Sequence, residues 1–445
     1  MKNYWFKSGF YSLLNQLTMM VFNLGSHIIL LRVLDKATCS VWVLYMTITA
    51  FIEIGRTGLL QNGLMTFLNQ TPQYEHSKIN KASLFLNLSL SVLVVFLLLL
   101  SSGWLGVFFK SSALTSLLSI YAMTTFVLSA LYQFNFIQQA NMDFKGLFWS
   151  SFVKNGSLFF YILYLKLSDG AFSLTNLAFV QLFAAIPAAF VAYRFAKKYF
   201  SLKAALDWVW VKKLLSYGKY TFGTNLSTMA YKNVDKMILG KLLLGTLSTY
   251  DLSIKINNLA EVPTTTLAAI LFPQSARRTN TEGEAGAKYL YEKSVGVLMA
   301  LIVPVVVFIL LFADVIVWII GSEKYASSAP ILRLTIFYGI FMAFATQFGT
   351  ILDSVGKPRL NFYITTLGAI VNLTCNYVFI TWFGLYGAAY GSLVAMSTMF
   401  VIMQITLYRL FDVQILNTFH YMLAFYKDIW QKGKRLLQPK LTNEF

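Results

Sequence analysis

Apolar runs of membrane-spanning length recur along the whole 445-residue chain, separated by short polar joints. A helix needs about 20 consecutive apolar residues to cross a hydrocarbon core roughly 30 Å thick. A window of that length places spans near 8–34, 39–65, 83–109, 113–138, 147–167 and 172–195, then near 214–241, 246–274, 290–313, 329–354, 359–383 and 386–411. The pattern predicts an all-α, polytopic membrane protein of about twelve transmembrane helices. No segment is left over for a soluble domain. The first run is too long for a signal-peptide core and no small-x-small cleavage pattern closes it, so it is read as a retained helix.

The polar joints are not equivalent. If the N-terminus is cytoplasmic, the outer joints carry only Lys36, Lys110, Lys166, Lys241 and Lys324, while Lys78, Lys81, Lys197, Lys198, Lys212, Lys213, Lys357 and Arg359 all fall inside. This is the asymmetry of the positive-inside rule, and it places both termini in the cytoplasm. The net charge of +18 therefore encodes topology, and it does not mark a nucleic-acid surface, which would need a soluble face for its display. Only 12% of the residues are charged, about half the share in a soluble protein.

Four sections follow: an N-terminal six-helix lobe over 1–196, a cytoplasmic interfacial linker over 197–213, a C-terminal six-helix lobe over 214–411, and a basic cytoplasmic tail over 412–445. The linker mixes Leu202, Trp208 and Trp210 with lysines, as suits a membrane interface. The tail from Phe419 to Leu437 interleaves aromatic and aliphatic residues with cations, which fits either a helix on an anionic leaflet or a solvated tail. Gly9, Tyr11, Ser12, Arg32 and Leu34 of span one face Gly218, Tyr220, Thr221, Lys241 and Leu243 of span seven in a gapless alignment. The two lobes are therefore expected to be pseudo-symmetric, an architecture that transporters use with the substrate path between repeats.

Charges within the spans carry the functional signal. An ionised side chain at mid-membrane costs roughly 3 kcal/mol, so it should face protein or a wet cavity. On span two, Tyr45, Thr49, Glu53 and Arg56 share one helix face. Span five holds Lys154; span seven holds Asn225, Thr228, Lys232 and Asp235; span eight holds Asp251, Lys255, Asn258 and Glu261; and Asn361, Thr365, Asn372 and Asn376 stripe span eleven. A hydrated, cationic cavity accounts for these economically, with Arg56, Lys154, Lys232 and Lys255 as substrate-binding cations and Glu53, Asp235 and Glu261 as candidate proton or sodium sites. The alternative for Glu53 with Arg56, and for Asp251 with Lys255, is a neutral pair that fixes helix packing. Lys219, Lys236 and Asp314 lie near span ends, where snorkelling suffices.

Several chemistries have no support. There is no phosphate loop or dinucleotide turn, so no nucleotide cofactor is expected. The two cysteines, Cys39 and Cys375, and the three scattered histidines offer neither a disulfide framework nor a metal site. The outer joints are too short to present the carboxylates of a membrane glycosyltransferase or polymerase, so an enzyme is not expected.

Three segments carry a resemblance. Leu30-Leu31-Arg32-Val33-Leu34 ends the first span. Asp235-Lys236-Met237-Ile238-Leu239-Gly240, Tyr250 and Phe272-Pro273 follow in order, and then come Gly356-Lys357-Pro358, Asn372 and Gly384-Leu385-Tyr386-Gly387-Ala388-Ala389. In these the chain resembles the polysaccharide-lipid, O-antigen type flippases of the multidrug/oligosaccharidyl-lipid/polysaccharide exporter superfamily. It departs from them at Asp35, where glycine is usual, and at Cys39-Ser40, where Phe-Gly is usual. The resemblance implies two six-helix lobes in a V that alternates between inward-open and outward-open states in a bacterial cytoplasmic membrane. It implies transport of an undecaprenyl-pyrophosphate-linked oligosaccharide for O-antigen, capsule or exopolysaccharide. The implied partners are that substrate, membrane lipids, and the glycan polymerase and chain-length machinery. The competing readings are a multidrug or cation antiporter of the same superfamily, and a non-transporting member of the glycan assembly machinery.

Overall fold

The computed structural model describes residues 2–260 and 284–437, and within them every regular element is helical, with no β-sheet. In chain order the helices are α1 (Lys2–Val33), α2 (Lys36–Gln70), α3 (His76–Phe108), α4 (Ser112–Ala140), α5 (Phe144–Leu167), α6 (Leu174–Ala196), α7 (Trp208–Leu242) and α8 (Leu247–Ala260). After the undescribed stretch come α9 (Glu284–Gly321), α10 (Ser328–Thr335), α11 (Tyr338–Ser354), α12 (Pro358–Phe383), α13 (Leu385–Phe411) and α14 (Ile415–Leu437). Each expected span coincides with helix, although the second half of span eight lies outside the described residues.

Nine stretches of described helix are long and apolar enough to cross a membrane, among them α1 to α4, α6 and α9. Of the three spans short of twelve, span eight is described only over Leu247–Ala260, and the other two have a physical cause in the sequence. Lys145, Lys154 and Lys166 interrupt α5, and seven ionisable residues from Lys212 to Lys241 interrupt α7, so their mean hydropathy drops although their lengths suffice.

The chain forms two compact units, Met1–Ser248 and Thr249–Phe445. In the first, α2 is the central helix and packs on α3, α4 and α7. Asp35 caps it, accepting the Thr38 amide N–H at 2.9 Å, which satisfies one of the free donors of the first turn. Helices α2 and α7 run antiparallel in close contact because glycines line the seam. A Cβ on Gly58 would stand 2.7 Å from Asn225, one on Gly218 would collide with the Leu59 carbonyl oxygen, and Thr221 Oγ1 donates to the Gly58 carbonyl at 2.6 Å. Small residues bring membrane helices this near, where dispersion and short polar contacts replace the hydrophobic drive.

The linker is strapped to the start of α3. Lys81 Nζ donates to the Ala204 carbonyl at 2.9 Å, the Ala204 amide donates to Ser77 Oγ at 3.0 Å, and Trp210 Nε1 donates to Glu75 at 2.9 Å. Below this strap, Leu60, Leu64, Ile79, Phe136, Ile137 and Leu214 join α2, α3, α4 and α7 in one buried cluster.

In the second unit, α13 crosses α12 at Gly387 and Gly391, and the Asn376 amide donates to Asn372 Oδ1 at 2.9 Å and to Ser392 Oγ at 3.1 Å. Asn372 and Asn376 are fully buried there. The upper half of the polar stripe on span eleven is therefore interhelical adhesive and not a cavity lining. The tail, for which the sequence allowed a helix or a solvated segment, is helical as α14 and packs on the first turns of α9. Glu292 accepts both the Gln414 amide N–H and Asn417 Nδ2, and Gly296 admits Tyr421 and Thr418 at close range.

Candidate functional site

The polar face of α2 points into a cluster shared with α3, α4 and α5. Glu53 and Arg56 are one turn apart and form an ion pair at 2.8 Å, with side-chain exposures of 16% and 2%. The guanidinium also donates to the Thr125 carbonyl at 3.0 Å and to Ser91 Oγ at 3.3 Å, while Tyr121 donates a short hydrogen bond to the other Glu53 oxygen. Tyr132 lies between two cations: Arg56 stands 4.9 Å from its ring centroid and Lys154 5.4 Å, with Lys154 Nζ donating to the Tyr132 hydroxyl at 3.3 Å. That tyrosine bond is the only hydrogen bond of Lys154, and no carboxylate forms a salt bridge with it among the described residues. The cluster thus holds two cations to one carboxylate, which pairs with Arg56, and among the described residues it carries a net positive charge inside the helix bundle.

Two further features mark Arg56. Its Nε–H is buried with no acceptor. Among the described residues it is also the one charged residue lining a cavity of about 440 Å³ whose other walls are Phe51, Ile52, Gly55, Leu59, Leu90, Leu93, Val94, Phe222 and Leu226. A buried guanidinium donor without a partner is costly, and it is the kind of vacancy that an anionic oxygen fills.

The sequence-predicted residues separate. Glu53, Arg56 and Lys154 come together in the first unit. Lys232 sits exposed on α7 of that unit, and Asp235 is buried there, accepting the Lys236 amide N–H at 2.7 Å. Lys236 itself is buried, where snorkelling was expected, because α7 turns that face inward. Lys255 belongs to the second unit and pairs with Asp251 at 3.3 Å. Asp314 pairs with Arg333. Glu261 and the Phe272-Pro273 signpost lie outside the described residues.

Tyr121, Thr125 and Tyr132 on α4 and Ser91 on α3 were missed by sequence reasoning. The signal existed: Tyr121, Thr125, Ser129 and Tyr132 recur at helical spacing along one side of the helix. Their lack of charge hid them.

A family model described as a polysaccharide biosynthesis protein matches residues 29–330, more than half of the chain. The chain belongs to that family. Its curated relatives include an uncharacterized membrane protein, MJ1068, of Methanocaldococcus jannaschii, 28% identical over 34% of this chain and 30% of the relative. Another is the probable low-salt glycan biosynthesis flippase Agl15 of Haloferax volcanii, 22% identical over 40% of this chain and 38% of that protein. The alignments therefore span about a third of these relatives' lengths, and both relatives are archaeal.

Solved structures share the fold of this family member. An inward-facing multidrug resistance MATE family transporter of the MOP superfamily superposes with a TM-score of 0.75 at 16% identity, over 88% of this chain and 95% of the other. The lipid II flippase MurJ in an inward closed conformation does so at 0.75 and 13% identity, over 93% and 90%. A MOP superfamily transporter from Pyrococcus furiosus, described as having a binding pocket of reverse polarity, gives 0.63 at 16%, over 90% and 94%. The protein is a multi-pass membrane protein, and its fold is the one seen in these MATE, MurJ and MOP-superfamily structures.

Proposed function

We propose that this protein is a flippase that moves a polyprenyl-diphosphate-linked oligosaccharide, the undecaprenyl form in a bacterial host, from the inner to the outer leaflet for assembly of a surface glycan. The single observation that carries this reading is the excess cation around Tyr132, where Arg56 and Lys154 converge and Glu53 is paired with Arg56. Cations held at mid-membrane cost energy unless an anion completes them. A diphosphate meets two closely spaced cations with complementary charge and offers acceptors for the unpartnered Arg56 Nε–H. A drug cation would be repelled by the same cluster, which disfavours the antiporter reading. Membership of a polysaccharide biosynthesis family and the likeness to Agl15 and MurJ support the same substrate class.

In this mechanism Glu53 holds Arg56 while the site is empty, and the arriving diphosphate displaces it. The freed carboxylate is then the coupling group, with Asp235 and Glu261 as the further candidates and Lys232 and Lys255 as later cation stations along the path. Outward movement of an anion from a negative interior gains about 2.3 kcal/mol per charge per 100 mV, so the potential alone can drive the cycle.

The test is accumulation of lipid-linked oligosaccharide on the cytoplasmic leaflet in depleted cells complemented with wild type or with Arg56→Ala. Relief by wild type alone supports the reading. No accumulation on depletion, with the surface glycan intact, defeats it and favours the antiporter or a non-transporting role.

A further inference from the structure

The cavity beside Arg56 has a chemistry that a diphosphate alone does not explain. It lies between α2, α3 and α7, and among the described residues that line it all but Arg56 are aliphatic, aromatic or glycine, without a hydroxyl, amide or carboxylate side chain. A sugar there would lose its hydrogen bonds to water and find no replacements, so the oligosaccharide is excluded on energetic grounds. At about 440 Å³ it lies within the roughly 300–1,000 Å³ span of sites that bury small organic ligands. Leu93 on α3 with Phe222 and Leu226 on α7 are exposed, so the space opens on one side while Arg56 closes the other.

We propose that this cavity is the isoprenoid subsite: it receives the first isoprene units of the lipid carrier, directly next to the phosphates held at Arg56. The inference rests on the diphosphate reading above and adds to it a binding site for the tail. Two features select a prenyl diphosphate over a glycerophospholipid. The paired cations at Tyr132 match a group with more than one negative charge, whereas a phosphodiester carries one. The open side lets a long chain continue outward after its first units are enclosed. An amphiphile with its anion at Arg56 and its chain in the cavity also fills the site without leaving a buried donor unpaired.

The experiment measures binding of inorganic pyrophosphate, isopentenyl diphosphate, farnesyl diphosphate and farnesol to the purified full-length protein by calorimetry. Burial of each additional CH₂ strengthens binding by about fourfold, so farnesyl diphosphate is expected to bind at least about 100-fold tighter than pyrophosphate, with isopentenyl diphosphate between them. Val94→Trp and Leu226→Trp fill the cavity from opposite walls. Each should cut the farnesyl advantage below about tenfold while pyrophosphate affinity, set by Arg56 and Lys154, stays as in wild type and certifies the fold. Equal affinity for farnesyl diphosphate and pyrophosphate, or an advantage that survives both variants, overturns the subsite and leaves the diphosphate reading intact. Displacement of farnesyl diphosphate by an equal concentration of phosphatidylglycerol overturns the isoprenoid assignment. Failure of every diphosphate, pyrophosphate included, to bind would instead remove the diphosphate reading itself.

Discussion

Removing Arg56 should cost the protein more than removing Arg56 and Glu53 together. At 2.8 Å and an effective dielectric of about 20, the attraction within this pair is about 6 kcal/mol before desolvation is subtracted. Arg56→Met leaves the Glu53 carboxylate buried with only the Tyr121 hydroxyl to hold it, a loss of about 3–5 kcal/mol. Glu53→Gln strips the counter-charge and leaves one acceptor oxygen where the carboxylate gave Arg56 and Tyr121 one each, costing about 1–3 kcal/mol. The double variant removes both charges, so its stability should return to within about 1–2 kcal/mol of wild type, a favourable coupling that only a direct pair produces. Unfolding free energies in mixed micelles measure all four proteins. Destabilisation in the double variant equal to the sum of the single losses would refute the pairing. The folded double variant should also fail to bind pyrophosphate, which separates the stability of the pair from its use.

Other consequences are simpler to read. Gly218→Ala should destabilise by about 1–3 kcal/mol in the same unfolding assay, because its Cβ meets the Leu59 carbonyl across the α2–α7 seam and backbone cannot yield as a side chain can. Asp35→Ala should cost about 1 kcal/mol through loss of the α2 cap. Hydrogen bonds from the Thr38 side chain and amide hold the Asp35 carboxyl below its usual range, so this increment is complete above the unfolded-state value near 3.8 and fades as pH falls through the lower folded value; Asp35→Asn should show no such dependence in an acid titration of stability. Ser392→Ala should cost about 1–3 kcal/mol, because the Asn376 side chain loses a buried hydrogen-bond partner at the α12–α13 crossing. Gly296→Leu should detach α14 from α9, since a Cβ there stands 2.6 Å from that of Tyr421, and a spin label at Leu423 would then report a rise in mobility.

Hydropathy made the helices legible because bilayer thickness dictates their length and backbone hydrogen bonding dictates their type. Hydropathy set the starts of α2 and α7 too late, near 39 and 214, because Asp35 and Asp207 each accept an amide N–H and so begin the helices among polar residues, at Lys36 and Trp208. Within the site, helical spacing alone announced Glu53 and Arg56, and Lys154 stood out as a lone cation. Their convergence on Tyr132 was not readable, because it depends on how α2, α4 and α5 are rotated against one another. The same limit explains Asn372 and Asn376. A polar stripe on a membrane helix reads identically whether it lines water or grips a neighbour, and only the crossing at Gly391 decides between them. Lys255 shows the converse: its charge was visible, and its pairing with Asp251 one turn away was the alternative the spacing allowed.

The most direct test of the central claim is translocation in proteoliposomes. Purified protein is reconstituted with a polyprenyl-diphosphate oligosaccharide, and its exposure on each leaflet is followed with a membrane-impermeant glycosidase. Wild-type protein should expose the inner-leaflet pool at a rate at least about tenfold above the variant Arg56→Met/Glu53→Gln, whose stability is preserved but whose cationic site is gone. Equal rates for the two proteins, both above protein-free vesicles, would contradict the assignment of the diphosphate to Arg56. A wild-type rate no higher than that of empty vesicles would contradict the flippase itself.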